Sequence, residues 1–169
     1  MTEQFTEIDY QRSGPVGRLT LGRRENSVLT PTMIRELARA LDLVADEDVR
    51  FLVVTGVGRT FCADVDPDYV QRTAAAERGF DRLVEDFLEP FVDFIGRLRS
   101  VAEHVISAVN GSCSAAGLWI VRACEYAVPA EQVDDLLDRL GTEARGRSAT
   151  RQRPRAPSAA RSPRPGAFR

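Results

Sequence analysis

The residues whose types and spacing could do chemistry lie mainly in one stretch, Val105-Ile-Ser-Ala-Val-Asn-Gly-Ser-Cys-Ser-Ala-Ala-Gly-Leu-Trp119. It reads as strand, turn and helix start. Val105 to Val109 is a short apolar run rich in β-branched residues, Asn110-Gly111 is a turn dipeptide, and Ser114-Ala-Ala-Gly117 is small enough for a ligand to approach the backbone. Backbone N–H groups that point out of a helix start can hold an anion. Earlier in the chain, Gly56-Val-Gly-Arg-Thr60 turns into Phe61-Cys-Ala-Asp-Val-Asp66.

The side chains that could act as acids, bases or nucleophiles mostly have plainer readings. His104, the only histidine, precedes the central strand and reads as a surface or edge residue rather than a base. Cys62, Cys113 and Cys124 are odd in number, widely spaced and match no metal-ligand spacing. They read as reduced thiols of a cytosolic protein, which gives the expected location, and Cys62 and Cys113 as small buried residues. Asp66 before Pro67 reads as a helix cap, and Trp119 as a core or pocket-wall aromatic.

These residues must be positioned by the elements around them. Val16 to Gly22 alternates as a strand, with Phe5 to Tyr10 as its partner across Ser13-Gly-Pro15, both at a sheet edge. Thr30-Pro31 caps and starts a helix whose core face carries Ile34, Leu37, Ala38, Leu41 and Val44, ending at Asp46 to Asp48. Phe51 to Thr55 is an apolar run suited to a covered sheet. Phe80, Leu83, Val84, Phe87, Phe91, Phe94, Ile95 and Leu98 keep a helical period, with Pro90 imposing a kink or break. Val133, Leu136, Leu137 and Leu140 mark one face of a last helix, on which Asp134, Asp135 and Asp138 form a solvated side.

The 169 residues carry a net charge of −2 with no lysine. That balance hides a division, because from Glu143 onward eight arginines face a single glutamate. Residues 1–142 are expected to form one domain and residues 143–169 a disordered Arg/Pro/Ala-rich tail, since the tail has only Phe168 to bury. It reads as a solvated tail or an aberrant end to a longer protein. A nucleic-acid arm is disfavoured, because the tail lacks the interleaved aromatics of a single-strand binder. The polar N-terminus has no apolar core of a signal peptide, and no run approaches a membrane span, so no membrane association is expected.

Several segments taken in order resemble the crotonase superfamily, the enoyl-CoA hydratase/isomerase family. They are Asn26 with its following helix, Asp48 to Gly56, Gly58-Arg-Thr-Phe-Cys-Ala-Asp-Val-Asp66, and Leu98-Arg-Ser-Val-Ala102 leading to Val105 to Gly111 and Ala123-Cys-Glu125. The resemblance covers Val16 to Glu131. It implies an α/β fold, a spiral of β-β-α turns, here incomplete at the C-terminus and followed by the tail. It also implies trimers, often paired into hexamers.

By the same resemblance the ligand is an acyl-CoA thioester, with coenzyme A part of the substrate and no separate cofactor. The thioester oxygen would sit in an oxyanion hole made by the N–H groups of Val65 and Ala116, with Ala63, Asp64, Gly117 and Trp119 around the substrate. Arg23 and Arg24 fall in the segment that approaches the CoA nucleotide in the family, though solvated arginines are the plainer reading. The pattern departs at informative places. Asp64 and Ala115-Ala116-Gly117 stand where the family has glycines, and alanine in a left-handed backbone costs about 1–2 kcal/mol. Trp119 stands where hydratases carry their first glutamate, and the second would fall near Arg139, beside Asp134, Asp135 and Asp138. The implied function is therefore acyl-CoA binding with enoyl-CoA hydratase/isomerase chemistry. The alternative is a non-catalytic binding or partner-stabilising subunit.

Overall fold

A computed structural model describes residues 5–22 and 27–150, the last nine of these only as helix. Arg23, Arg24 and Asn26 lie outside the described residues, as does the tail from residue 151. The first element is a hairpin, β1 (Ile8–Ser13) and β2 (Val16–Leu21), paired antiparallel from Ile8–Leu21 to Ser13–Val16 across Gly14, whose φ is +57°. Glycine adopts that left-handed backbone without a Cβ penalty. Of these two, β1 alone lies at the sheet edge. β2 also pairs in parallel with β4 (Phe51–Gly56), because its alternating Gly17, Leu19 and Leu21 bury one side of a strand that has neighbours on both flanks.

The five-stranded sheet runs β1-β2-β4-β7-β9, with β7 at His104–Val109 and β9 at Tyr126–Pro129. Every residue of β4 is buried, as the continuous apolar run requires of a parallel strand covered on both faces. Helix α1 (Pro31–Asp46) starts as the sequence dictates, the Thr30 hydroxyl accepting the Met33 N–H at 3.0 Å with Pro31 in the first turn. Its core face carries Met33, Ile34, Leu37, Ala40, Leu41 and Val44, with Ala40 rather than Ala38 fully buried.

The same face buries Glu36. Its carboxylate takes the Thr6 N–H and hydroxyl at 2.7 and 2.6 Å and the Glu7 and Ile8 N–H groups at 2.8 and 3.2 Å. This carboxylate ties the chain entering β1 to α1.

After β4 come β5 (Thr60–Cys62) and β6 (Asp64–Val65), then α2 (Pro67–Ala74), which Asp66 caps by accepting the Asp68 N–H at 3.0 Å. The following helical stretch is continuous but changes pitch. It runs as α3 (Gly79–Leu83), a π-helical turn (Val84–Leu88) and α4 (Glu89–Leu98). The wide turn ends two residues before Pro90, which has no N–H to give an α-helical ladder and whose ring would otherwise clash with the carbonyl four residues earlier. Phe87, Phe91, Phe94 and Leu98 are buried as the period requires, but Phe80 is 74% exposed. It lies one residue into α3, beyond the reach of the core that α4 packs on.

The chain then forms β7, β8 (Ser112–Cys113), α5 (Ala115–Ala123), β9 and α6 (Val133–Thr150). Two parallel pairs, β3 (Val28–Leu29) with β6 and β5 with β8, lie outside the main sheet. Helix α6 carries on as backbone past Gly141, where the apolar pattern ends, to Thr150.

The sheet separates two cores. One joins α1, α4 and α5 to Leu19, Leu52, Val54 and Val105, and the other seats Val133, Leu136 and Leu140 of α6 on Phe51, Val53, Ile106 and Ala108.

Candidate functional site

Asn110 is the residue around which the site is assembled. Its side-chain oxygen accepts the Gly56 N–H at 2.9 Å, and its amide donates to the Gly58 carbonyl at 2.9 Å. The turn after β4 is thereby stapled to the end of β7. Gly111 presses against the same turn, where an added Cβ would sit 1.9 Å from the Arg59 carbonyl oxygen. Ser27 makes a second staple, its buried hydroxyl donating to the Leu21 carbonyl at 3.0 Å. Sequence reading takes Asn110-Gly111 as a turn dipeptide only. The signal that it does more is an asparagine directly after a buried strand, where the side chain can stand in for a missing ladder partner.

These staples lay the two candidate donor segments side by side. The Ser114 N–H donates to the Cys62 carbonyl at 2.9 Å, and α5 packs against β5 and β6. At the start of α5, Ser114 is in an extended conformation and makes no side-chain cap hydrogen bond. The first N–H groups of a helix have no partner within it, and they carry its positive end. Ala116 lies in this turn and is 7% exposed. Neither Ala115 nor Ala116 has a positive φ, so the strain expected of alanine in a left-handed glycine run does not arise.

Gly117 has a different role from the one its smallness suggests. A Cβ there would lie 2.7 Å from the Cys62 Cβ and 2.8 Å from the Cys113 sulfur. It is small so that α5 can approach β5 and β8, and it is buried against them.

On the other side, Asp64 has φ of +94°, a backbone position where glycine carries no penalty. Its carboxylate folds back and accepts the Val65 N–H at 2.9 Å. The Val65 donor is thus engaged by its neighbour's side chain. Ala63 is exposed, and its N–H donates to the Ser27 carbonyl at 2.9 Å.

Trp119 is neither core nor buried wall. On α5 the buried positions are Ala116, Gly117, Ile120 and Ala123, which turns Leu118 and Trp119 outward, and Trp119 is 62% exposed. Asp134, Asp135 and Asp138 are exposed on α6, the helix that covers the opposite face of the sheet from Cys62 and Ala116. His104 sits at the far end of β7 from Asn110, with Nδ1 2.8 Å from a Glu125 oxygen and its ring stacked 5.5 Å from Phe51.

Burial pushes the Cys62 thiol up to about 11 and raises that of Cys113, so both are neutral near pH 7. Neither thiol is therefore activated near neutral pH. Among the described residues, no group of His, Cys, Asp and Glu could hold a metal ion.

Residues 11–134 match the model of the enoyl-CoA hydratase/isomerase family. The chain belongs to that family. It is 32% identical over 130 residues to a probable peroxisomal enoyl-CoA hydratase of Arabidopsis thaliana, covering 76% of this chain and 45% of that protein. It is 26% identical over 113 residues to human chromodomain Y-like protein 2, covering 64% of this chain and 21% of that one. Among solved structures it is similar to an enoyl-CoA hydratase/isomerase family protein of Silicibacter pomeroyi. That match has a TM-score of 0.62 and 30% identity, and covers 71% of this chain and 50% of the other. The fold is therefore the crotonase spiral, and the chain spans about half the length of these hydratase relatives or less.

Proposed function

We propose that this chain binds an acyl-CoA thioester at the start of α5, with coenzyme A arriving as part of the ligand and no separate cofactor. The observation that carries this reading is the uncapped first turn of α5 lying against β6. The Ala116 N–H is the first donor to the thioester oxygen, and the positive end of the helix adds to it. The Val65 N–H is the second, once its carboxylate partner Asp64 moves aside for the ligand. Preorganised donors of this kind stabilise negative charge on the oxygen, and removing one costs about 3–4 kcal/mol where a reaction depends on it.

The proton-transfer half of a hydratase is the weaker part. Trp119 cannot exchange a proton, and a general base must come within hydrogen-bond reach of the reacting atom. The α6 aspartates stand behind the sheet. These two observations favour binding without hydration, as in a ligand-holding or partner-stabilising member of the family.

One experiment addresses both halves. Trp119 is the only tryptophan and lies on α5, so its fluorescence should report a short enoyl-CoA titrated into the protein. The expected result is a saturable change, with the absorbance of the enoyl thioester decaying at the rate seen without protein. Absence of saturable binding, checked by calorimetry, would overturn the acyl-CoA reading. Protein-dependent loss of the enoyl absorbance would restore the hydratase.

A further inference from the structure

Between the two donor segments lies a pair of thiols that acyl-CoA binding does not use. Cys62 ends β5 and Cys113 ends β8, and the two are register partners in the short parallel pairing of these strands, which shifts register between Thr60 and Cys62. Neighbouring strands lie about 4.8 Å apart, within the Cα separation of about 4.4–6.8 Å that a disulfide spans. Both side chains turn to the same place. The point where a Cβ on Gly117 would sit is 2.8 Å from the Cys113 sulfur and 3.4 Å from the Cys62 sulfur. A larger residue at 117 would fill the space that both sulfurs border, and glycine leaves it open. Both cysteines are reduced in this structure.

We propose that Cys62 and Cys113 form a redox modification site, a dithiol that closes to an internal disulfide on reaction with a low-molecular-weight disulfide. Cys113 is partly exposed whereas Cys62 is fully buried, so Cys113 reacts first. Its thiolate attacks one sulfur of the small disulfide, whose S–S bond breaks and releases one small thiolate. The Cys62 thiolate then attacks the Cys113 sulfur, the mixed bond breaks, and the second small thiolate leaves. The two cysteines are oxidised, the reagent is reduced to two thiols, and those thiols carry away the two protons.

Two features of the site shape the reaction. The thiolate is the attacking form, and burial raises the pKa of both thiols, so the rate rises steadily with pH from neutrality upward. The bond also acts on the proposed donors. Cys113 immediately precedes Ser114, the cap of α5, and Cys62 stands just before β6. Closing it fixes the start of α5 against the Val65 segment.

Cys124 provides an internal control. It lies at the other end of α5, with its thiol directed to the Ile120 carbonyl at 3.3 Å, and burial pushes its pKa up to about 12.

The test uses the full chain, folded and then again in denaturant, incubated with oxidised glutathione and digested without reduction. From the folded protein, peptide mapping is expected to show one linked pair, the peptides containing Cys62 and Cys113, with Cys124 still alkylatable. In denaturant that selectivity should be lost. A stable glutathione adduct on Cys113, a bridge between two chains, a bridge to Cys124, or no oxidation after prolonged incubation at pH 9 would each overturn the proposal. The Cys113→Ser variant should lose the internal bridge without gaining one to Cys124. Because mapping of the unaltered chain is decisive by itself, the test stands even if a variant fails to fold.

Discussion

Asp64 is the residue at which conformation and ligand chemistry compete. Its φ of +94° disfavours any side chain, and its carboxylate occupies the Val65 N–H that a thioester oxygen would take. A non-glycine residue held in such a backbone costs about 1–3 kcal/mol, part of which the carboxylate's hydrogen bond from the Val65 N–H offsets. Asp64→Gly removes the competitor and the strain together. The expected outcome is tighter binding of a short acyl-CoA, about tenfold or more, corresponding to about 1.4 kcal/mol, with unfolding stability unchanged or raised. Isothermal titration and urea unfolding of the two proteins check this. Asp64→Asn keeps an acceptor for the Val65 N–H and should gain less. An unchanged affinity in the glycine variant would mean that the Val65 N–H takes no part in binding.

At the scale of elements, the helix caps, the strand runs and the core face of the last helix were legible because each rests on local chemistry. Thr30-Pro31, Asp66-Pro67 and the apolar run of β4 state their structure in a few neighbouring residues. What was not legible depends on partners distant in sequence. The Asn110 staple to Gly56 and Gly58, the Glu36 carboxylate under the N-terminal strand and the contact of Gly117 with Cys62 each join segments more than twenty residues apart. Helical period likewise could not say that Phe80 lies off the core or that Trp119 faces outward, since the direction of a face is set by what packs on it.

Gly117 gives a direct test of this distinction. Gly117→Ala drives a methyl group into Cys62 and Cys113 and should cost about 1–3 kcal/mol in urea unfolding. Gly96→Ala on α4, where nothing lies within 4 Å, should stabilise by about 0.5–1 kcal/mol.

Glu36 adds a pH signature to the contact between α1 and β1. Burial alone would raise its pKa, but the Thr6 hydroxyl and the Thr6, Glu7 and Ile8 N–H groups outweigh it, and the folded value lies below the ordinary one. A lowered carboxylate pKa contributes stability above the unfolded pKa of about 4.3, and that contribution is lost as pH falls through the folded value. Glu36→Gln should therefore cost about 1–3 kcal/mol at neutral pH, because an amide turns a donor toward N–H groups that need an acceptor. The difference from the unaltered protein should shrink as pH drops below about 4, as urea midpoints measured across that range would show. A difference that stays constant with pH would assign the cost to packing.

For the whole molecule, the two-sided burial of the sheet decides how much chain the fold needs. One face is closed by α1, α4 and α5, and the other by α6 on Phe51, Val53, Ile106 and Ala108. Val133, Leu136 and Leu140 supply that cover, all less than a tenth exposed. Each such side chain stabilises by about 1.5–3 kcal/mol when fully buried, and the uncovered strands would lose a comparable amount again. A domain of this size has a net stability of only about 5–15 kcal/mol, so loss of α6 consumes most or all of it. A chain ending at Gln132 is therefore expected to be recovered insoluble, or as a state that binds a hydrophobic dye and unfolds without a cooperative transition. A chain ending at Thr150 keeps every described element and should match the urea midpoint of the full protein. A cooperative transition in the chain ending at Gln132 would show that the first core folds alone and that α6 is an addition to it. A lowered midpoint on ending at Thr150 would place a stabilising contact within residues 151–169.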